Sequence, residues 1–93
     1  MSDRKTLIKA KAEALILEVL KNDLQTDDPL LKPAVKKLEP YKDKLSKIDG
    51  KIVKLGLNMV NIQPTTDNDD YEAKRVAKAL VDKLEKMKSS FGL

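Results

Sequence analysis

The 93-residue chain contains no cysteine, no histidine and no tryptophan, and only three of its residues are aromatic. Without cysteine it has neither disulfides nor thiolate metal sites, which is compatible with a reducing cytoplasm, where we expect the protein to reside. Without histidine it lacks the commonest general base and metal ligand. Its three glycines, Gly50, Gly56 and Gly92, match no phosphate-binding loop. We therefore expect no enzymatic activity, no cofactor and no metal.

Long apolar runs are also missing. No run approaches the roughly 20 residues that a membrane-spanning helix needs, so we expect no membrane partner. With so few aromatic residues the core must be aliphatic, which suits helices packed on helices. Charged residues make up 37% of the chain, and its Ala, Leu, Lys and Glu are good helix formers. We predict a single all-α domain over residues 1–93, a small bundle of three or four helices.

Between Leu38 and Ile62 apolar residues recur at alternating steps of three and four, the spacing of one seam on an α-helix. The seam consists of Leu38, Tyr41, Leu45, Ile48, Ile52, Leu55, Met59 and Ile62. It predicts a helix over residues 34–62. Because a proline ring removes a backbone hydrogen bond, we expect this helix to be kinked or broken near Pro40.

The second half of this segment has an alternative interpretation. Gly50 and Gly56 each weaken a helix by about 1 kcal/mol relative to alanine. Residues 50–62 also have the pattern of a strand with alternating faces. We keep the helix because the three-four spacing continues through both glycines, and because no second strong strand is available for pairing.

The rest of the chain divides at prolines and polar turns. The sequence predicts a helix over 3–21, followed by a loop over 22–33 with at most one helical turn. Pro64 and the polar residues after it predict a turn over 63–68. A last helix is predicted over 69–89, with a narrow apolar stripe that packs on one side only.

The last predicted helix begins in a run of acidic residues: Asp67, Asp69, Asp70 and Glu72. Asp69 followed three residues later by Glu72 has the layout of a capping box, with Asp in place of Ser or Thr. Carboxylates at a helix N-terminus also complement its dipole. Since the run lacks the glycine and terminal glutamate of a calcium loop, we interpret it as helix capping rather than as a cation site.

The first predicted helix is apolar on two sides. One face carries Ile8, Ala12, Leu15, Ile16 and Val19. The opposite face, at 3.6 residues per turn, carries Leu7, Ala10, Ala14 and Leu17. Such a helix needs cover on both sides, so we predict that the second face is the interface of a homodimer. The alternative is a central helix of the monomer whose small alanines face solvent.

Positive charge collects in the middle of the chain. Residues 31–63 hold eight basic and three acidic side chains, whereas residues 1–30 hold five and six and residues 64–93 hold six of each. On a continuous helix, six lysines of this segment would occupy an arc of about 100° beside the seam: Lys36, Lys37, Lys44, Lys47, Lys51 and Lys54. A row of ammonium groups contacts phosphates without reading bases. We predict a small regulatory protein that binds the nucleic-acid backbone, with RNA ahead of DNA.

Two other interpretations stay open. The lysines can be an ordinary solvated helix face, which is the usual meaning of a charge run. Alternatively, the chain is a protein-binding helical regulator or inhibitor, an interaction module of the immunity, anti-toxin or phage type. In that case it would use its apolar helix face against an acidic protein partner.

Overall fold

The computed structural model describes residues 3–45 and 50–87, and within those two stretches the chain is helical with no strand. The helices are α1 (Asp3–Lys21), α2 (Lys32–Lys36), α3 (Lys42–Leu45), α4 (Gly50–Asn58) and α5 (Asp69–Lys86), with a 3-10 turn at Glu39–Tyr41. The all-α prediction is confirmed. None of the helices in the described stretches is long and apolar enough to cross a membrane.

The core is built around α5, which contacts α1, α2 and α4. Six apolar residues of α5 are buried: Ala73, Val76, Ala77, Leu80, Val81 and Leu84. Ala77 and Val81 widen this buried surface beyond the narrow stripe predicted from the sequence. That prediction was wrong because α5 has neighbours on more than one side, so a broader arc of the helix is covered.

The first helix has the predicted bounds. On its predicted buried face Ile8, Ala12, Ile16 and Val19 are buried, and Leu15 is half-buried. It ends in a Schellman motif, in which the Leu24 amide donates to the Val19 carbonyl at 2.8 Å. Asp23, at the position where glycine is usual, has φ of 57°, and Leu24 has φ of 63°. Val19 and Leu24 are both buried, so the motif turns the chain while keeping an apolar pair in the core.

The loop after α1 turns again at Asp28. Its carboxylate oxygen Oδ1 accepts from the Leu30 amide at 2.9 Å, and its carbonyl accepts from the Lys32 amide at 2.8 Å. The first residue of α2 is Lys32, and Pro33 lies in its first turn, where a missing amide hydrogen costs nothing. The loop is therefore slightly shorter than the predicted 22–33.

The predicted helix over 34–62 is observed as several shorter pieces. Pro40 lies in the 3-10 turn that separates α2 from α3, as its missing hydrogen bond leads one to expect. Residues 46–49, which include Ile48 of the predicted seam, lie outside the described residues. Beyond them α4 ends at Asn58, four residues before the predicted end.

The chain leaves the helix at this point because its next apolar residues pack differently. Val60 and Ile62 are half-buried against the core, while Asn61 and Gln63 between them are exposed. Alternate burial of this kind is typical of an extended chain. Pro64 also disfavours helical geometry at the residue before it. The alternating pattern recognised in the sequence thus describes the segment after α4, although no strand forms there.

The buried face of α4 differs from the predicted seam. Val53, Gly56 and Leu57 are buried, whereas the seam residues Leu55 and Met59 are 57% and 56% exposed. An ideal Cβ built on Gly56 would lie 2.5 Å from Leu80 Cδ1 of α5. Because Gly56 has no side chain, α4 approaches α5 on that side, and the helix is rotated relative to the predicted seam.

The last helix is capped by Asn68, not by Asp69 as the sequence suggested. The Asn68 side chain accepts from the Tyr71 amide at 3.0 Å. Glu72 does not close a capping box either. Its buried carboxylate accepts from the Thr66 hydroxyl at 2.7 Å and from Arg75 Nη1 at 2.8 Å. These bonds fix the turn before α5, which ends at Lys86; residues 88–89 of the predicted helix lie outside the described residues.

Candidate nucleic-acid interface

The predicted lysine row is exposed wherever the structure describes it. Lys36 lies in the last turn of α2, and Lys37 caps the end of that helix. Lys44 lies in α3, and Lys51 and Lys54 lie in α4. All five are exposed side chains. Lys47, the sixth, lies outside the described residues.

Lys51 and Lys54 share the outer face of α4. They are three residues apart, a spacing that makes side chains neighbours on a helix surface. At 100° per residue their centre lies about 135° from the centre of the face formed by the buried residues Val53, Gly56 and Leu57. Asn58, four residues after Lys54, lies on the same side, so this face of α4 is polar from one end of the helix to the other.

A lysine from another helix joins this face. The Lys9 ammonium of α1 donates to the Asn58 side-chain oxygen of α4. The contact places a third ammonium group one helical turn beyond Lys54. It could not be predicted from the sequence, because Lys9 and Asn58 are 49 residues apart. Lys9, Lys51 and Lys54 are called the basic face below.

The five predicted lysines that the structure describes are spread over α2, α3 and α4. The angular alignment assumes a continuous rod from Pro40 to Ile62, but Pro40 lies in a 3-10 turn, α4 ends at Asn58, and residues 46–49 lie outside the described residues. The register of Lys44 therefore cannot be carried over to Lys51 by counting residues. What the structure brings together is the pair on α4 with Lys9, and separately the adjacent pair Lys36 and Lys37.

Lys37 has an acidic neighbour. Its ammonium lies 3.7 Å from the Asp82 carboxylate of α5, and both side chains are about half exposed. An exposed pair at this distance contributes little and is readily exchanged for another anion.

Several other basic residues hold α5 in place at its N-terminal end. Arg4 pairs with Asp69 and Lys11 pairs with Asp70, each at 2.8 Å. The hydrogen bond from Lys11 holds the pKa of the Asp70 carboxyl below its usual value. The acidic run at the start of α5 is thus used in contacts with α1, in addition to complementing the helix dipole.

Lys74 plays the same role further along α5. Its ammonium lies 2.7 Å from the Asp28 carboxylate in the loop after α1. This hydrogen bond is the main cause that holds the pKa of Asp28 below its usual value, with a further contribution from the Leu30 amide. Asp28 is therefore an anion that ties the loop to α5.

The predicted dimer residues lie together on the outer side of α1. Leu7 and Leu17 are 46% and 37% exposed, and Ala10 and Ala14 are exposed as well. This face lies opposite the buried residues of α1. Homodimer formation stays a prediction, and the exposure of all four residues leaves them available for it.

No cofactor or metal site stands out in the described parts of the chain. Over residues 3–45 and 50–87 no three carboxylates or other ligand side chains cluster closely enough to hold a metal ion. A cavity of about 420 Å³ lies between the end of α1 and the loop that follows it. Glu18, Asn22 and Asp28 contribute to its polar lining.

Comparison with known proteins gives no relatives: no protein-family model, curated protein or solved structure matches the chain significantly. A functional hypothesis must therefore come from the chain's own residues.

Proposed function

We propose that this chain is a non-catalytic, cytoplasmic regulatory protein that binds the phosphate backbone of nucleic acid, with RNA ahead of DNA. The observation that carries the proposal is the basic face, where Lys51 and Lys54 of α4 are joined by Lys9 of α1 through Asn58. Lys36, Lys37, Lys44 and Lys47 would extend the contact along the backbone.

The chemistry of this face favours phosphate over bases. Lysine ammonium groups are compact charges without the bidentate geometry with which arginine reads guanine. The face contains no aromatic residue on which a base could stack, so single-strand recognition by stacking is disfavoured. Duplex or folded RNA contacted through its backbone fits these properties better.

Salt dependence tests the proposal. Fluorescence anisotropy with a labelled RNA duplex would be measured between 50 and 200 mM salt, and about five phosphate contacts would give a slope of log K against log salt near −4. Changing Lys51→Gln and Lys54→Gln together removes two contacts. Because an exposed charge contact is worth up to about 1 kcal/mol, loss of two contacts should lower the affinity by up to about thirtyfold, and the slope should become shallower by nearly two.

The matched control removes the same charge from the exposed side of α5, with Lys78→Gln and Lys86→Gln. Circular dichroism of all variants checks that the helices are intact. Equal losses in the two double variants would show that only net charge matters, and no binding by the wild-type protein at 50 mM salt would remove the proposal.

The outer face of α1 favours a second candidate function, a protein-binding regulator or inhibitor. Leu7 and Leu17 expose apolar area that the monomer does not cover. This candidate predicts that the protein is purified with a low 260/280 absorbance ratio and has no affinity for the RNA duplex. It also predicts a defined protein partner whose binding is lost in Leu17→Glu.

A further inference from the structure

The outer side of α1 carries a longer pattern than the four apolar residues considered so far. Six exposed positions follow one another at steps of four, three, four, three and four: Asp3, Leu7, Ala10, Ala14, Leu17 and Lys21. At 100° per residue they fall within an arc of about 80°. They form a ridge about 27 Å long, since α1 rises about 1.5 Å per residue. The ridge is acidic at its first residue, apolar along its length and basic at its last.

The monomer uses only the other side of this helix. Ile8, Ala12 and Ile16 are at most 1% exposed, and they lie on the side of α1 that faces the core formed with α4 and α5. The ridge points away from that core, and its two leucines are 46% and 37% exposed. A partner for the ridge must therefore come from outside the described chain.

The order of residues on the ridge matches that of a second copy of the same ridge in reversed orientation. Read from either end it runs charge, Leu, Ala, Ala, Leu, charge, with opposite signs at the two ends. We propose that α1 packs against α1 of a second copy in antiparallel orientation, about a two-fold axis near residue 12. Asp3 then faces Lys21 of the second copy, Leu7 faces its Leu17, and Ala10 faces its Ala14.

Charge favours this antiparallel orientation over the parallel one. In a parallel pair, Asp3 would face Asp3 of the second copy and Lys21 would face Lys21, so both ends would repel. In the antiparallel pair both ends attract, and the two alanines at the centre allow the backbones to approach closely. The two-fold axis makes the interface self-complementary, as a closed homodimer requires.

The flanks of the ridge limit the affinity. Glu13 lies beside the centre and would come near Glu13 of the second copy, whereas Lys11 on the other flank is already paired with Asp70 of its own chain. Two partly exposed leucines and two alanines also bury much less than the roughly 800 Å² per partner of a standard interface. We therefore expect a weak dimer, with a dissociation constant in the micromolar range or above.

Charge reversal tests the orientation. Sedimentation velocity at low salt would compare the wild type with Asp3→Lys, with Lys21→Asp and with the double variant. Each single change turns two attractive contacts of the dimer into repulsive ones and should weaken association about tenfold. The double variant restores opposite signs and should regain the wild-type constant within about threefold. Lys78→Asp, on the exposed side of α5, is the matched control and should leave association unchanged.

In the double variant the stability of the monomer should fall while the association constant recovers, which separates association from folding. Asp3 and Lys21 each complement the dipole of α1, so both single changes lower Tm and the double change lowers it further. Recovery of association in the variant with the lowest Tm is a result that only the paired ends explain. A double variant that associates no better than the single variants would overturn the proposal.

Cysteine cross-linking gives an independent test, because the natural chain has no cysteine. Ala10→Cys and Ala14→Cys chains would be mixed and oxidised. The antiparallel pair predicts mainly the mixed disulfide between positions 10 and 14, since a disulfide needs Cα atoms within about 7 Å. Disulfides joining like positions would overturn the orientation. If the wild-type chain stays monomeric at millimolar concentration, the proposed homodimer is wrong, and a partner of the ridge would have to be a different protein. Neither result bears on the RNA titration, so the two proposals fail separately.

Discussion

Replacing Gly56 with alanine adds one methyl group where α4 packs against α5. The added Cβ would lie 2.5 Å from Leu80 Cδ1 and 3.8 Å from Leu84 Cδ2. The second distance is an ordinary van der Waals contact, but the first is more than 1 Å too short. Leu80 is fully buried, so its methyl group can move only by displacing other core atoms.

Two effects of opposite sign decide the result. Alanine is favoured over glycine inside a helix by about 1 kcal/mol. Overpacking a well-filled core usually costs about 1–3 kcal/mol, because side chains leave their preferred rotamers. We expect overpacking to prevail and the free energy of unfolding to fall by about 1 kcal/mol. For a domain of this size that corresponds to a fall in Tm of about 4–8 °C.

Gly50 provides the matched control. It also lies in α4, but a Cβ built there would meet nothing within 4 Å. Gly50→Ala should therefore leave stability unchanged or raise it by up to about 1 kcal/mol. Urea denaturation followed by circular dichroism at 222 nm measures both variants under the same conditions.

Removing the obstructing leucine identifies the cause. Leu80→Ala alone should cost about 2–5 kcal/mol, but in that background Gly56→Ala should no longer be destabilising. The double-mutant cycle should give a coupling energy of about 1 kcal/mol or more. If Gly56→Ala proves as harmless as Gly50→Ala, or if the cycle shows no coupling, then α4 does not meet α5 at Leu80 and the helix packing described above is wrong.

Two further changes test contacts at the ends of helices. The hydrogen bond from Thr66, with smaller contributions from Thr65 and Arg75, holds the pKa of Glu72 below its ordinary value of 4.5. The stability that the Glu72 carboxylate contributes is therefore complete above pH 4.5 and is lost as the pH falls through the lower folded-state pKa. Glu72→Gln should lower Tm at pH 7 and make Tm fall less steeply as the pH is lowered into the acid range. A variant whose Tm falls as steeply as that of the wild type would contradict this. Asp23 at the end of α1 has left-handed backbone geometry, which glycine adopts without strain. Asp23→Gly should therefore raise the free energy of unfolding by about 0.5–1 kcal/mol in urea titrations. A decrease would show that the Asp23 side chain makes a contact that stabilises the fold by more than this strain costs.

Two features of the first helix could be predicted from the sequence. Its bounds and its buried face follow from uninterrupted helix formers and a strict apolar spacing, which need no knowledge of the rest of the chain. The middle of the chain could not be predicted in this way. Apolar spacing shows that residues such as Leu38 and Leu45 are buried, but it does not show whether the backbone between them stays helical.

Gly56 was the missed signal in that segment. Judged by propensity Gly56 only weakens a helix, and the three-four spacing places the predicted seam at Leu55 and Met59, away from the observed buried face. A glycine flanked by Val53 and Leu57 at helical spacing also indicates a face on which another helix approaches closely. That interpretation gives the buried side of α4 correctly, and it leaves Leu55 and Met59 exposed as observed.

The candidate site was predictable to the extent that it depends on single residues. Lysines with long charged side chains are rarely buried, so the exposure of Lys51 and Lys54 follows from their type. The residues that lie beside these lysines cannot be predicted from residue type. Lys9 reaches Asn58 only because α1 packs beside α4, and Arg4 and Lys11 of α1 reach the start of α5 from 65 and 59 residues away. These long-range pairings depend on tertiary packing, which no local pattern encodes.

The two proposed binding surfaces use different sides of α1. At 100° per residue Lys9 lies about 120° from the centre of the ridge that runs from Asp3 to Lys21. Its contact with Asn58 directs it towards α4, while the ridge faces away from the core. Pairing of two chains through the ridge would therefore leave the basic face of each chain uncovered. A dimer would then carry two basic faces on one rigid body, and two weak phosphate-binding faces on one body bind a long polyanion more tightly than either alone.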